Sequence, residues 1–162
     1  RESLQLLEVG GLVKMYADKA TEVTEVNKAS IPDILPPLAA LQALAVEMCI
    51  PQLTDGVIAL LEKTNNRFAE AVNSKKFYSA LKIDEEFHQV VINTANNPYI
   101  ITLVASLQAH VRRLFFHNSI ILSERSIADH NELIQAMKDR DSVKASTIMR
   151  DNWLSAIEGA HQ

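Results

Sequence analysis

The sequence predicts an all-α protein: an antiparallel bundle of about six helices, preceded by one short helix and a β-hairpin. From Asp33 onward, apolar residues recur at three- and four-residue spacing, and strand-like alternation is absent over any useful length. Breaks and caps punctuate that pattern at short intervals, and such short connections favour antiparallel neighbours. The chain has only four glycines, and its 162 residues, 48% of them hydrophobic, suffice to bury a core as one domain with a small appendage.

The first element is a helix over Glu2 to Val9, stopped by Gly10-Gly11. Leu12-Val13-Lys14-Met15-Tyr16 and Glu22-Val23-Thr24-Glu25-Val26 then read as two short strands around a polar turn. Asn27 to Pro32 forms a linker, and Ser30 or Asp33 is placed to cap the next helix. The first bundle helix runs from about Asp33 to Cys49 and is closed by Ile50-Pro51. The second, about Thr54 to Asn73, carries Val57, Leu60, Leu61, Thr64, Phe68 and Ala71 on one face, and Asn73-Ser74 ends it. The third spans about Lys76 to Thr94. Asn97-Pro98 supplies a cap and a first-turn proline to the fourth, which is lined by Leu103, Leu107, His110, Leu114, His117 and Ile121. The fifth covers about Glu124 to Asp139, and Asp141 caps the sixth, which continues to about Gly159. The chain opens on Arg1 rather than Met, inside a helix, so it reads as truncated or processed.

Composition narrows the function. The lone Cys49 excludes an intramolecular disulfide and fits a reducing compartment, with the cytoplasm as the expected location. The most apolar stretch, Ile34 to Ile50, is interrupted by Pro36, Pro37, Gln42 and Glu47, too short and polar for a membrane span. A net charge of -4 argues against a broad phosphate-binding surface, so these residues alone are expected to bind DNA poorly. Neither a nucleophile elbow nor a phosphate-cradling glycine loop is present, and no enzymatic activity is expected.

Four polar side chains interrupt apolar helical stripes. Asp84 and His88, one turn apart, lie between Leu81, Val91 and Ala95; His130 lies among Ile127, Ile134 and Met137; Asn152 lies among Ala145, Ile148, Met149, Ala156 and Gly159. An inward carboxylate needs compensation, and convergence of these four groups predicts an internal metal or ligand site. Imidazole suits zinc, nickel, copper or iron, while carboxylate and amide oxygens extend the range toward manganese. In the bland alternative, Asp84 pairs with His88 and His130 caps a core carbonyl. His110 and His117, seven apart, are either substitute ligands or satisfied core residues, and Arg112 or Arg113 can hold a carboxylate at the cavity rim unless both lie on a solvated face.

The run from Arg1 to Val13 resembles the end of the recognition helix and the start of the wing in GntR-type winged-helix regulators. Asp84-Glu85-Glu86-Phe87-His88, Asn96-Asn97-Pro98, Asp129 to Met137 and Asp139-Arg140-Asp141 are similar to the helical effector domain of the FadR subgroup. This resemblance implies two parts: residues 1–28 as the remnant of a winged helix-turn-helix domain, and residues 29–162 as a ligand-sensing and dimerisation domain. It also implies a divalent metal, zinc or nickel, on Asp84, His88, His130 and Asn152, the last standing where the family usually has histidine. Leu38 and Gln42 stand where the family often has arginine and glutamate. Arg1 is the implied DNA contact.

The expected function is a ligand-responsive regulator of transcription. A small carboxylate effector binds beside the metal, with Arg112, Arg113, His110 and His117 around it, and alters operator DNA binding by a homodimer whose N-terminal domain is mostly absent here, with no membrane partner. The alternatives are a helical-bundle metalloenzyme and a metal-free dimerisation module.

Overall fold

The computed structural model describes residues 2–9, 11–17, 21–25, 27–116 and 122–159. Helix α1 (Glu2–Val9) ends in paired bonds from Gly11 N–H to the Glu8 carbonyl and from Leu12 N–H to the Leu7 carbonyl. That ending requires a left-handed residue, and Gly11 supplies it at φ +76°. Strands β1 (Val13–Lys14) and β2 (Glu22–Val23) pair antiparallel, Val13 opposite Val23 and Lys14 opposite Glu22. The strands are shorter than their sequence suggests, because the Met15 N–H is taken up by the Glu8 carboxylate instead of a partner strand. Residues 18–20 of the predicted turn between the strands (Tyr16 to Thr21), Val26, His117, Ile121 and Arg1, the DNA contact that the resemblance implies, lie outside the described residues.

Six long helices follow: α2 (Ile31–Cys49), α3 (Asp55–Asn73), α4 (Phe77–Ala95), α5 (Pro98–Phe116), α6 (Glu124–Lys138) and α7 (Ser142–Gly159). Their ends follow local chemistry. The Thr54 hydroxyl accepts from Val57 N–H at the start of α3, Asn97 accepts from Tyr99 and Ile100 at the start of α5, and Asp141 accepts from Lys144 at the start of α7. Asn96 closes α4 in the left-handed region that asparagine tolerates. Ser30 occupies the position before α2 without capping it, since its hydroxyl bonds the Asn27 carbonyl.

Helix α2 is the centre of the bundle and packs on α7, α4 and α5, while α3 packs on α4 and α6, and α6 on α7. By length and composition α2 could cross a bilayer, yet half of that stretch is buried inside the protein, including Leu35, Leu38, Ala39, Val46 and Cys49. It is a core helix. A smaller apolar cluster of Phe68, Ala71, Val72 and Ala80 closes the far side of α3 and α4.

Two predicted inward residues face outward: Leu60 is 48% exposed and Leu103 is 52% exposed. On α3 the buried stripe runs through Leu61, Thr64, Asn65, Phe68 and Val72, and on α5 through Ile100, Val104, Val111 and Leu114. Each helix is rotated so that only a narrow stripe meets its neighbours, which leaves one of two adjacent leucine-bearing rows in solvent. Leu38, fully buried at the centre of α2, tests the packing: Leu38→Ala should cost about 2–5 kcal/mol of stability in urea unfolding, read from the midpoint at unchanged slope.

Candidate metal centre and adjoining cavity

Helix α4 turns Asp84 and His88 inward between Leu81 and Val91, and α6 delivers His130 from the opposite side; the three are 7%, 4% and 1% exposed. Nε2 of His88 lies 3.6 Å and Nε2 of His130 3.2 Å from the same Asp84 Oδ1. One ligand atom from each residue falls within 4.8 Å of the other two. The sequence stripes thus converge for three of the four residues.

The His130 ring is oriented by its surroundings. It stacks on Phe87 at 4.0 Å between centroids with Phe68 on another side at 5.1 Å, and its Nδ1 meets Asn65 Oδ1 at 3.0 Å. Asn65 directs its amide nitrogen to Asn131 Oδ1 and to the Ile127 carbonyl, which can only accept. Its oxygen is therefore the atom facing His130, and His130 Nδ1 must carry the proton. In the neutral ring this leaves Nε2 with a bare lone pair. Although 3.2 Å from Asp84 Oδ1, that nitrogen has no hydrogen-bond partner among the described residues. A lone pair facing a carboxylate is repulsive unless a proton or a cation lies between them. The donor set fits a divalent metal: one carboxylate and two imidazoles, one with its free nitrogen fixed by a hydrogen bond on the other side of the ring.

Asn65 was not singled out among the candidate site residues. Its signal was its place four residues after Leu61 and three before Phe68, a polar side chain on a buried row. Trp153 was also missed; its ring packs 4.9 Å from His88. The neighbouring Asn152 is partly exposed, and its amide nitrogen donates to Asp129 Oδ2 at 3.1 Å.

A cavity of about 430 Å³ opens beside His88, lined also by Gln42, Lys82, Glu85, Gln89 and Arg112. Arg112 reaches it paired with Glu85 at 2.7 Å, a contact that raises the guanidinium pKa further. Arg113 and His110 belong elsewhere. They line a second cavity of about 270 Å³ with Gly11, Thr24 and Ile34, where Arg113 donates to the Thr24 carbonyl and hydroxyl. The structure therefore divides the three described effector candidates between two cavities, Arg112 at one and His110 with Arg113 at the other.

Burial raises the Asp84 pKa, but the imidazoles of His88 and His130 more than reverse it and hold the carboxyl well below the usual range. Burial also pushes His130 down from its ordinary 6.5, opposed in part by Asp84. The two shifts have the same sign for stability, because each group binds protons more readily in the unfolded chain. The Asp84 contribution is present above its ordinary 3.8 and is lost as pH falls through lower values. That of His130 is present above 6.5 and is lost as pH falls below it. Metal-free protein should lose stability between pH 7 and pH 5, and His130→Asn should flatten that step; urea midpoints at the two pH values measure it, and an unchanged slope in the variant would refute the assignment.

The family profile of the FCD domain matches residues 33–153. Among curated proteins, the HTH-type transcriptional regulator YdhC of Bacillus subtilis (strain 168) is 21% identical over 148 residues, 90% of this chain and 66% of the relative. The chain spans about two thirds of the length of the curated relatives it matches. E. coli McbR/YncC shares the fold with a TM-score of 0.84 at 18% identity, over 100% of this chain and 83% of that one. The metal-free FCD domain of TM0439 has a TM-score of 0.64 at 16% identity, over 85% of this chain and 99% of that one. The two curated relatives are named as HTH-type transcriptional regulators rather than enzymes, which sets the metalloenzyme alternative aside. The chain belongs to the FCD-domain family, the C-terminal effector-binding domain of GntR-type transcription regulators.

Proposed function

We propose that this chain is the sensing part of a cytoplasmic regulator of transcription, in which a small organic acid binds beside a divalent metal and alters operator binding. Residues 29–162 are the sensing and dimerisation domain, and residues 1–28 are the remnant of the winged helix. The observation that carries the proposal is His130 Nε2, buried 3.2 Å from Asp84 Oδ1 without a hydrogen-bond partner among the described residues, while the Nδ1 of the same ring is held by Asn65 Oδ1.

Asp84, His88 and His130 would hold the ion, with the amide oxygen of Asn152, whose nitrogen is engaged by Asp129, as a weaker fourth donor. Zinc or nickel suits this set, and the ion would supply a fixed positive charge on which a carboxylate docks. Phe87, Phe68 and Trp153 pack around the imidazoles and keep water from the ligand atoms. Tag-free protein should carry close to one divalent ion per chain by plasma mass spectrometry. His88→Ala should abolish that content while far-ultraviolet circular dichroism stays helical, and Asn65→Ala should weaken metal affinity about 10–100-fold. Full metal content in His88→Ala would defeat the site.

Coupling to DNA would run through α5. Arg112 stands at the acid cavity, and the next residue, Arg113, is bonded to Thr24 beside strand β2. An acid that prefers one placement of α5 thereby biases the hairpin, as differential affinity between states requires. A homodimer suits a two-fold operator, and the exposed Leu44 and Leu103 on contacting helices α2 and α5 offer it apolar surface. Adding zinc and malate should increase hydrogen-exchange protection of the hairpin amides in the wild type, and Arg113→Ala should remove that increase with metal content intact. Equal protection in the variant would place the coupling elsewhere.

A further inference from the structure

Gln42 lies on α2, 1% exposed, and lines the cavity beside His88. Neither its Oε1 nor its Nε2 has a hydrogen-bond partner among the described residues. A buried amide with both ends unmet is destabilising, and a Leu or Met of similar size would remove the defect. The charged groups around the cavity are, by contrast, matched. Arg112 pairs with Glu85 and Glu86 with Arg67, each at 2.7 Å, and the Lys82 ammonium lies 5.2 Å from the centroid of the Tyr78 ring. Apart from Nδ1 of His88, which belongs to the candidate metal centre, the unmet atoms of this wall are those of a neutral amide, an NH2 donor and a carbonyl acceptor side by side.

We propose that Gln42 determines specificity in this cavity by selecting an acid that carries, away from its carboxylate, a neutral group able both to donate and to accept, such as a hydroxyl. This inference rests on the acid-sensing function proposed above. A second carboxylate at Gln42 would satisfy Nε2 but set its own oxygen against Oε1, and a methyl group would satisfy neither. A hydroxyl accepts from Nε2 and donates to Oε1, leaving the carboxylate for the metal end of the cavity at His88. Sites built to hydrogen-bond a hydroxyl discriminate strongly against the analogue lacking it, because the site's own polar atoms are left unpaired.

The test uses the zinc-loaded 162-residue chain and acid pairs that differ by one hydroxyl: malate against succinate, and butanoate against 4-hydroxybutanoate, whose hydroxyl is too far from its carboxylate for simple chelation. Calorimetry on the wild type should show the hydroxylated member of each pair binding at least roughly ten-fold tighter. Gln42→Met should keep the zinc, lose that preference, and in the absence of any acid melt about 2–4 °C higher, because two unmet polar atoms are gone. A preference that survives in Gln42→Met, or a lower acid-free melting temperature, overturns the assignment. Equal affinity within both pairs overturns the selectivity while leaving acid sensing standing. Bound zinc with no binding of any of the four acids overturns both.

Discussion

Burial of the Asp84 carboxylate is the constraint around which the bundle is arranged. A lone carboxylate in an apolar interior is so costly that it must be compensated by charge, protons or a metal. The groups placed to share that compensating proton or ion are His88 one turn along the same helix and His130 on α6, so α4 and α6 cannot slide past one another without separating them. Asn65 on α3 fixes the His130 ring and Trp153 on α7 covers His88. Four helices thus share one register at one polar point. The aromatic rings around that point lower the local dielectric, which strengthens each contact within it and sharpens the cost of leaving any of it unmet.

Helix α5 is the other organising element. Its inner row of Ile100, Val104, Val111 and Leu114 buries a narrow apolar face, and consecutive arginines then point to different sides. Arg112 joins the cavity next to the polar centre and Arg113 ties the hairpin to the bundle. Residues adjacent in a helix are about 100° apart, so one helix can touch two compartments with neighbouring side chains. The acid proposed for that cavity would thereby have a direct physical path to the N-terminal hairpin, with no chain of intermediates. A comparable tie sits at the far end of the bundle. Arg140, itself in a left-handed backbone conformation, donates to the carbonyls of Ile50 and Leu53 and joins the α6–α7 turn to the α2–α3 connection.

Gln42 and the proposed metal centre show two forms of one economy. Both bury polar atoms that have no hydrogen-bond partner among the described residues, and both therefore carry a stability cost in the free protein. Such costs gather where a ligand is to be met, since the ligand supplies the missing partner. The paired charges on the cavity wall work the other way. Because Glu85 and Arg112 already satisfy one another, they shape the entrance without adding a strong net field, and in the proposed selectivity discrimination falls to the neutral amide of Gln42.

The helix boundaries were legible in the sequence because caps and stops act within one turn. Asn97, Asp141 and Thr54 bond the backbone a few residues ahead, so type and spacing suffice. The inward direction of Asp84, His88 and His130 was legible for a similar reason, since apolar neighbours three and four residues away define a face. Periodicity leaves the rotation of a helix uncertain by about one residue, and for α3 and α5 the packing settled it. Leu60 and Leu103 went to solvent, and Asn65 came inward to hold His130. Tertiary structure alone also decided which polar groups meet. It separated Arg113 and His110 from Arg112, bonded the Asn152 amide nitrogen to Asp129, and left Gln42 without a partner. Those outcomes depend on side chains from helices far apart in the chain, and no local spacing encodes the distance between them.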